Sequence, residues 1–534
     1  MFTYKNLILF LLVSCILAAN ENLIEYKISC SQKISFKRSS EYYILPSGKQ
    51  ENYMFNEYSF LLNSSIPYSN VYKIKKNMEV SLEDITQEIF PNFQKIYPIV
   101  IDDLGYRYIV QDKLFVSFLK GNEQKVVQQL KKYNVSPHSE YKSFEKINVY
   151  IFKVQEKNIE DIYLTKKINS IRQSVQEIIW TYPVLSLELN GIHSLPNNKN
   201  DSGWHLDKIK APNSWNNGFT GKNVNISIFS DGIDLVDNTA LKNNIYINQS
   251  ESFLDAGHDD DNNGFIDDVI GWDFVRNENI PFPKKFSHRF FDKNNPTLND
   301  ISGTCIAGII AASPFENRPT GIAYNSKIFS IKVIESGRFT SEVELAKAIN
   351  YVANFEDIHI QLHGWGLGVE LPVTKKVIEK ASQKQIIISP VGDSGSSSQV
   401  CFPATMAQVI AVAAVDPQGH VRYSNYNKWK NQVDIAAPGE GIATTDVHGP
   451  YGYGVYQTPQ FIDTNYTNNY RGTNAATAIV TACIALMLEK DPSLSAEDIK
   501  TILKCTAKKT LNHSSSKLGP GILNIEAALQ KIKK

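Results

Sequence analysis

The chain has 534 residues, 42% apolar and 21% charged, enough for more than one packed core and unlike a disordered or collagen-type sequence. Lys plus Arg and Asp plus Glu balance at 55 each, so no charge excess points to nucleic acid or an anionic membrane as partner. The first element is a signal-peptide pattern over 1–19, with Lys5, an apolar run from Leu7 to Ala19, and small residues at its end. The run is short for a bilayer span and no later segment reaches its length. A secreted or cell-surface protein is expected, with membrane association only through this segment or a partner. Cys15 leaves with the signal, and the other cysteines (Cys30, Cys305, Cys401, Cys483, Cys505) are odd in number and lack metal spacing.

Residues 20–105 form an N-terminal extension of unknown structure, in which 41–48 suggests a strand entering a turn. Over 106–192 the pattern becomes β-α-β-α-β. Strands are predicted at 114–118, 149–152 and 178–189, and Val126, Val127, Leu130 and Tyr133 recur at helical spacing. A polar linker, 193–203, separates this unit from 204–532, where short β-branched runs at 224–229, 328–334, 386–391 and 409–415 alternate with amphipathic segments. A helix is predicted from Ser341, and 475–489 is apolar on nearly every face, which predicts a central helix. The fold class is therefore α/β: a doubly wound parallel sheet with helices on both faces, preceded by a small α/β domain.

Four segments of this region carry a family resemblance. They are Asn225-Ile226-Ser227-Ile228-Phe229-Ser230-Asp231-Gly232-Ile233-Asp234, Ser302-Gly303-Thr304-Cys305-Ile306-Ala307-Gly308, Gly392-Asp393-Ser394-Gly395 and Gly472-Thr473-Asn474-Ala475-Ala476-Thr477. In order and separation they resemble the signature segments of the subtilisin-like (subtilase, S8) serine proteases. The resemblance covers about 204–532, and the unit over 106–192 resembles the inhibitory propeptide of such enzymes.

A residue-by-residue carry-over fails at each chemical position. The orienting acid falls on Ser230, the general base on Ser302, the nucleophile on Asn474, and the oxyanion-binding Asn on Asp393. Ser does not act as a base near neutrality, and an amide is a poor nucleophile. Ser230 supplies no charge to hold an imidazolium. Asp393, if ionised, aims negative charge at a developing oxyanion; protonated by burial, it would still donate. Asp231 is one step along a strand from Ser230, which predicts the opposite face. Cys305 shares the face of Ser302 but has no base partner. In subtilisin itself, loss of the triad costs about 2 × 10⁶ in kcat, and loss of an oxyanion donor costs roughly 10²–10³.

The expectation is a pseudoprotease with no catalytic residues, acting as a binding or regulatory protein. Two alternatives stand beside it: an active serine endopeptidase with a rearranged site, and a purely structural surface protein. The composition and acidic loop also resemble those of apicomplexan secreted subtilases, which implies a role in parasite–host interaction. Lacking nucleophile and base, the chain is expected to keep its propeptide-like unit, whose tail near Val184 to Glu188 would fill the cleft.

Two further sites are expected. Asp259, Asp261, Asn263, the carbonyl of Phe265, and Asp268 have the spacing of an EF-like loop with Gly264 at the sixth position, which predicts structural calcium. Gly364, Trp365 and Gly366 correspond to the edge strand on which subtilases lay an extended peptide, so a protein or peptide partner could bind by strand addition.

Overall fold

The computed structural model describes 23–27, 33–46, 61–62, 72–75, 93–101, 107–118, 120–139, 149–155, parts of 167–175, 178–188 and 203–532, the last with gaps at 236, 252–256, 285–299, 316–317, 396–398, 427–431, 450, 454–455, 458–461 and 510–514. The expected signal segment, Cys30 and nearly all of the linker lie outside the described residues. The chain divides into two compact units, 1–189 with 341–343, and 190–340 with 344–534.

In the first unit, β1 (Arg107–Phe118) pairs antiparallel with β2 (Val149–Val154) and β3 (Ile178–Glu188). Helix α1 (Glu123–Leu130) turns Val126 and Leu130 inward, as their spacing predicts. The antiparallel sheet continues through Phe93–Ile101 to Lys33–Pro46, in a region whose mixed polar and aromatic sequence carries no clean alternation.

The second unit is built on a parallel sheet. Its order runs β5 (Gly271–Asp273), β6 (Lys327–Lys332), β4 (Asn225–Ser230), β7 (Ile358–His363), β8 (Ile386–Pro390) and β9 (Val409–Val415), with β10 (Ile435–Pro438) also parallel to β9. These strands are buried on both faces, which is why they read as continuous β-branched runs instead of alternating ones. Helices α2 (Ser302–Ala311), α3 (Glu342–Val352), α4 (Pro372–Ala381) and α5 (Thr473–Lys490) cover the sheet. Helix α3 begins at Glu342, directly after Ser341, as the Ser341/Glu344 cap spacing predicts, and Ser341 itself ends the strand Arg338–Ser341. Helix α5 is buried from Ala475 to Leu488 and lies in one apolar core with α2 and the central strands. Among the described residues, no helix is long and apolar enough to cross a membrane.

The carboxyl ends of β4 and β8 and the amino ends of α2 and α5 carry the four signature segments. In open α/β sheets this end of the strands is where the ligand crevice forms.

Candidate functional site

Strand β4 ends at Ser230, which is 1% exposed and donates from Oγ to Asp231 Oδ1 at 3.1 Å. The chain then leaves the strand, so alternation no longer governs Asp231, and the expectation that it faces away is corrected. Its carboxylate turns to the start of α2 and accepts the N–H groups of Ile301 (3.0 Å), Ser302 (3.0 Å) and Gly303 (2.6 Å). Burial pushes the Asp231 pKa up, against the pull of these donors. Close packing explains the Gly that follows Ser302: a Cβ on Gly303 would lie 2.2 Å from the Gly232 carbonyl oxygen. Asp231 thus caps a helix whose first N–H groups otherwise face a buried crevice. Replacing it by Ala should lower unfolding stability by about 3 kcal/mol or more, because buried donors are left unmade. Chemical denaturation of D231A measures this, and an unchanged midpoint would refute the capping role.

Ser302, in the position of the base, shares a 2.6 Å hydrogen bond with the Tyr470 hydroxyl. Tyr470 is 1% exposed and its ring packs 5.6 Å from Tyr453. Sequence reasoning did not find Tyr470, whose strand (Tyr466–Tyr470) is remote from α2 along the chain. Among the described residues, no histidine hydrogen-bonds to Ser302 or Asn474. His363 ends β7 instead, stacked 4.6 Å from Phe229 with Nε2 3.2 Å from Gln361 Oε1, and burial lowers its pKa to about 3. It is a neutral core residue. Cys305 is fully buried and its thiol pKa is pushed well up by that burial, so no thiolate nucleophile stands on α2.

Asn474 sits in the first turn of α5, and its Nδ2 donates to the Gly364 carbonyl at 3.2 Å. Its Oδ1 is buried with no partner. Asp393, beyond the end of β8, accepts the Thr473 N–H on Oδ1 at 2.7 Å. The carboxylate therefore serves as an acceptor at the amino end of α5, where the helix dipole favours negative charge. Gly472 has φ 107°, and a Cβ there would stand 2.8 Å from Asp393 Oδ2. A side chain at that position would be both strained and crowded.

The expected peptide edge differs from a regular strand. Strand β7 ends at His363, and Gly364, Trp365 and Gly366 continue beyond it without strand pairing. The Gly364 N–H bonds to the Phe229 carbonyl, and the Trp365 carbonyl accepts from Ser389 Oγ at 3.3 Å. The Trp365 ring is buried between Phe339, His363 and Phe402. Leu367 and Phe402 exchange two backbone hydrogen bonds, closing the far end of the segment. Cys401 lies behind it, with its Sγ 2.4 Å from where a Gly392 Cβ would stand.

The acidic loop folds on itself. Asp259 does not join the carboxylate cluster: its two oxygens accept the N–H groups of Asn263 (3.0 Å) and Gly264 (2.8 Å). Asp261 and Asp268 do approach each other, bridged by the Asn263 amide at 3.0 and 2.9 Å and by the Asn248 amide at 3.2 and 2.9 Å. The third carboxylate is Glu251, which the loop spacing did not reveal because it precedes the loop. Oxygens of Glu251, Asp261 and Asp268 lie within 4.8 Å of one another. Among the described residues, no lysine or arginine pairs with any of the three. Burial pushes the Glu251 and Asp268 pKa values up, with neighbouring carboxylates adding to the shift. Phe265 turns its ring toward Trp272, Phe274 and Tyr351, and the Tyr351 hydroxyl donates to Asp268, tying the loop to α3.

The subtilase family model matches residues 221–521, more than half of the chain. The chain is 28% identical over 334 residues to subtilisin of Bacillus pumilus, a match covering 61% of this chain and 98% of that protein. It is 27% identical to subtilisin E of Bacillus subtilis (strain 168), covering 61% and 70%, and 22% identical to subtilisin Savinase of Lederbergia lenta, covering 61% and 97%. Among solved structures it is similar to fervidolysin from Fervidobacterium pennivorans, a keratinolytic enzyme related to subtilisin, with TM-score 0.59 and 19% identity. That match covers 79% of this chain, which spans 61% of the fervidolysin chain. The β4, α2 and α5 signature segments fall inside the matched region, and the chain belongs to the subtilase family.

Proposed function

We propose that this subtilase has no peptidase activity and acts as a secreted or surface-displayed binding or regulatory protein. The carrying observation is the pair of contacts at the base and nucleophile positions. Ser302 is engaged with Tyr470, and Asn474 is engaged with the Gly364 carbonyl. Neither group can pass a proton along the route that activates a serine, which needs a base hydrogen-bonded to the nucleophile. The acceptor role of Asp393 supports the same reading, since a carboxylate there repels a developing oxyanion. The ligand in this reading is an extended peptide or protein segment at Gly364, Trp365 and Gly366, bound through backbone groups that need no catalytic residue. Its source, in a parasite–host setting or elsewhere, follows from co-purification with the native chain.

Calcium is the proposed structural cofactor. Three carboxylates of one sign, gathered at close range and largely out of water, suit a hard cation with oxygen ligands. Glu251, Asp261 and Asp268 would hold it, with the Asn248 and Asn263 amides fixing the carboxylates. Exposure of the purified chain to a serine-reactive fluorophosphonate tests the loss of activity. No residue should be labelled above the heat-denatured control; stoichiometric labelling at any one residue would overturn the proposal.

A further inference from the structure

At the first turn of α5 the side chains at 393 and 474 present acceptor oxygens where a site for an oxyanion presents donors. Asp393 acts as an acceptor, with Oδ1 on the Thr473 N–H. The Asn474 amide is turned so that Nδ2 faces the Gly364 carbonyl, because the reverse orientation would set two oxygens against each other. That orientation leaves Asn474 Oδ1 buried without a donor. The Gly364 carbonyl is a third acceptor and retains a second lone pair. A buried acceptor without a partner costs on the order of 1–3 kcal/mol, which a ligand bringing a donor would relieve. The carboxylate adds a preference for positive charge.

We infer that this position accepts a primary ammonium group, either the α-ammonium of a peptide or a lysine side chain, where an active relative would take a carbonyl oxygen. The inference rests on the peptide-binding reading above and names the group that ligand presents. Asp393 supplies the charge, and Asn474 Oδ1 and the Gly364 carbonyl supply the remaining acceptors.

Binding to the full chain would be measured by calorimetry for four probes. These are Ala-Ala-Ala-amide with a free amino terminus, its N-acetylated form, acetyl-Ala-Lys-Ala-amide, and an acetylated trialanine ending in an aldehyde. At least one ammonium-bearing probe should bind tenfold or more tighter than the acetylated trialanine amide. The aldehyde should gain nothing over that amide. Whichever ammonium probe wins identifies the source, α-amino or lysine. The D393N variant keeps an acceptor oxygen for Thr473, so it should fold, and it should erase the preference. N474A should weaken ammonium binding at least threefold relative to the acetylated probe. Equal binding of all probes, tighter binding of the aldehyde, or a preference that survives D393N would overturn this inference alone. No binding of any probe at millimolar concentration would overturn the peptide-binding reading together with it.

Discussion

The purified full-length chain should keep its N-terminal unit covalently attached on prolonged incubation, whatever the pH. In subtilisin itself, loss of the triad lowers kcat by about 2 × 10⁶. Here the acid, base and nucleophile positions hold Ser230, Ser302 and Asn474, and the oxyanion position holds an acceptor carboxylate. A maturation cut that an active enzyme completes in a minute would then take years. Intact mass and N-terminal sequencing of the secreted chain read the outcome. A new N-terminus in the region 190–204 that forms in the purified chain, and fails to form after denaturation, would contradict the expectation. A cut made only when a second protease is added would not.

Removal of calcium is expected to have the next largest effect. A site half-filled at about 10 μM, held in 1 mM calcium, contributes about 2.7 kcal/mol by mass action. For a unit of this size that corresponds to a fall in melting temperature of roughly 4 °C on chelation. The effect should depend on pH with a definite sign. Glu251 and Asp268 have pKa values raised by burial in the calcium-free protein, so the native chain holds protons there that the unfolded chain has lost. Stability without calcium therefore falls as pH rises through the window just above the ordinary carboxylate range. Calcium must displace those protons, so its stabilising effect grows with pH across the same window. The variant E251Q should lose most of the calcium-dependent shift, and scanning calorimetry with and without chelator measures it. A shift unaffected by E251Q would place the ion elsewhere.

The fold was largely legible because buried parallel strands write themselves as unbroken β-branched runs. The apolar runs at 386–391 and 409–415 match the strands Ile386–Pro390 and Val409–Val415 nearly to the residue for that reason. The all-round apolar character of α5 likewise announced a helix in the centre of a core. The extension before 106 was not legible, since strands such as Lys33–Pro46 mix charged and aromatic residues without a period of two. At the site, identities were legible but contacts were not. Alternation misplaces Asp231 because β4 ends one residue before it, where the chain turns. Tyr470 and Glu251 were missed because each reaches its partners across a distance in sequence that spacing rules do not span. Spacing alone places Asp259 in the cluster, yet its oxygens are taken by the backbone of the loop it begins.

The decisive comparison is the hydrolysis rate of the wild type against N474A on a broad panel of fluorogenic peptides, with both proteins purified identically and held in calcium. If Asn474 and its neighbours do no chemistry, the two rates will coincide at the level of the buffer blank. Hydrolysis by the wild type 100-fold or more above N474A would show an active site at this position and contradict the account.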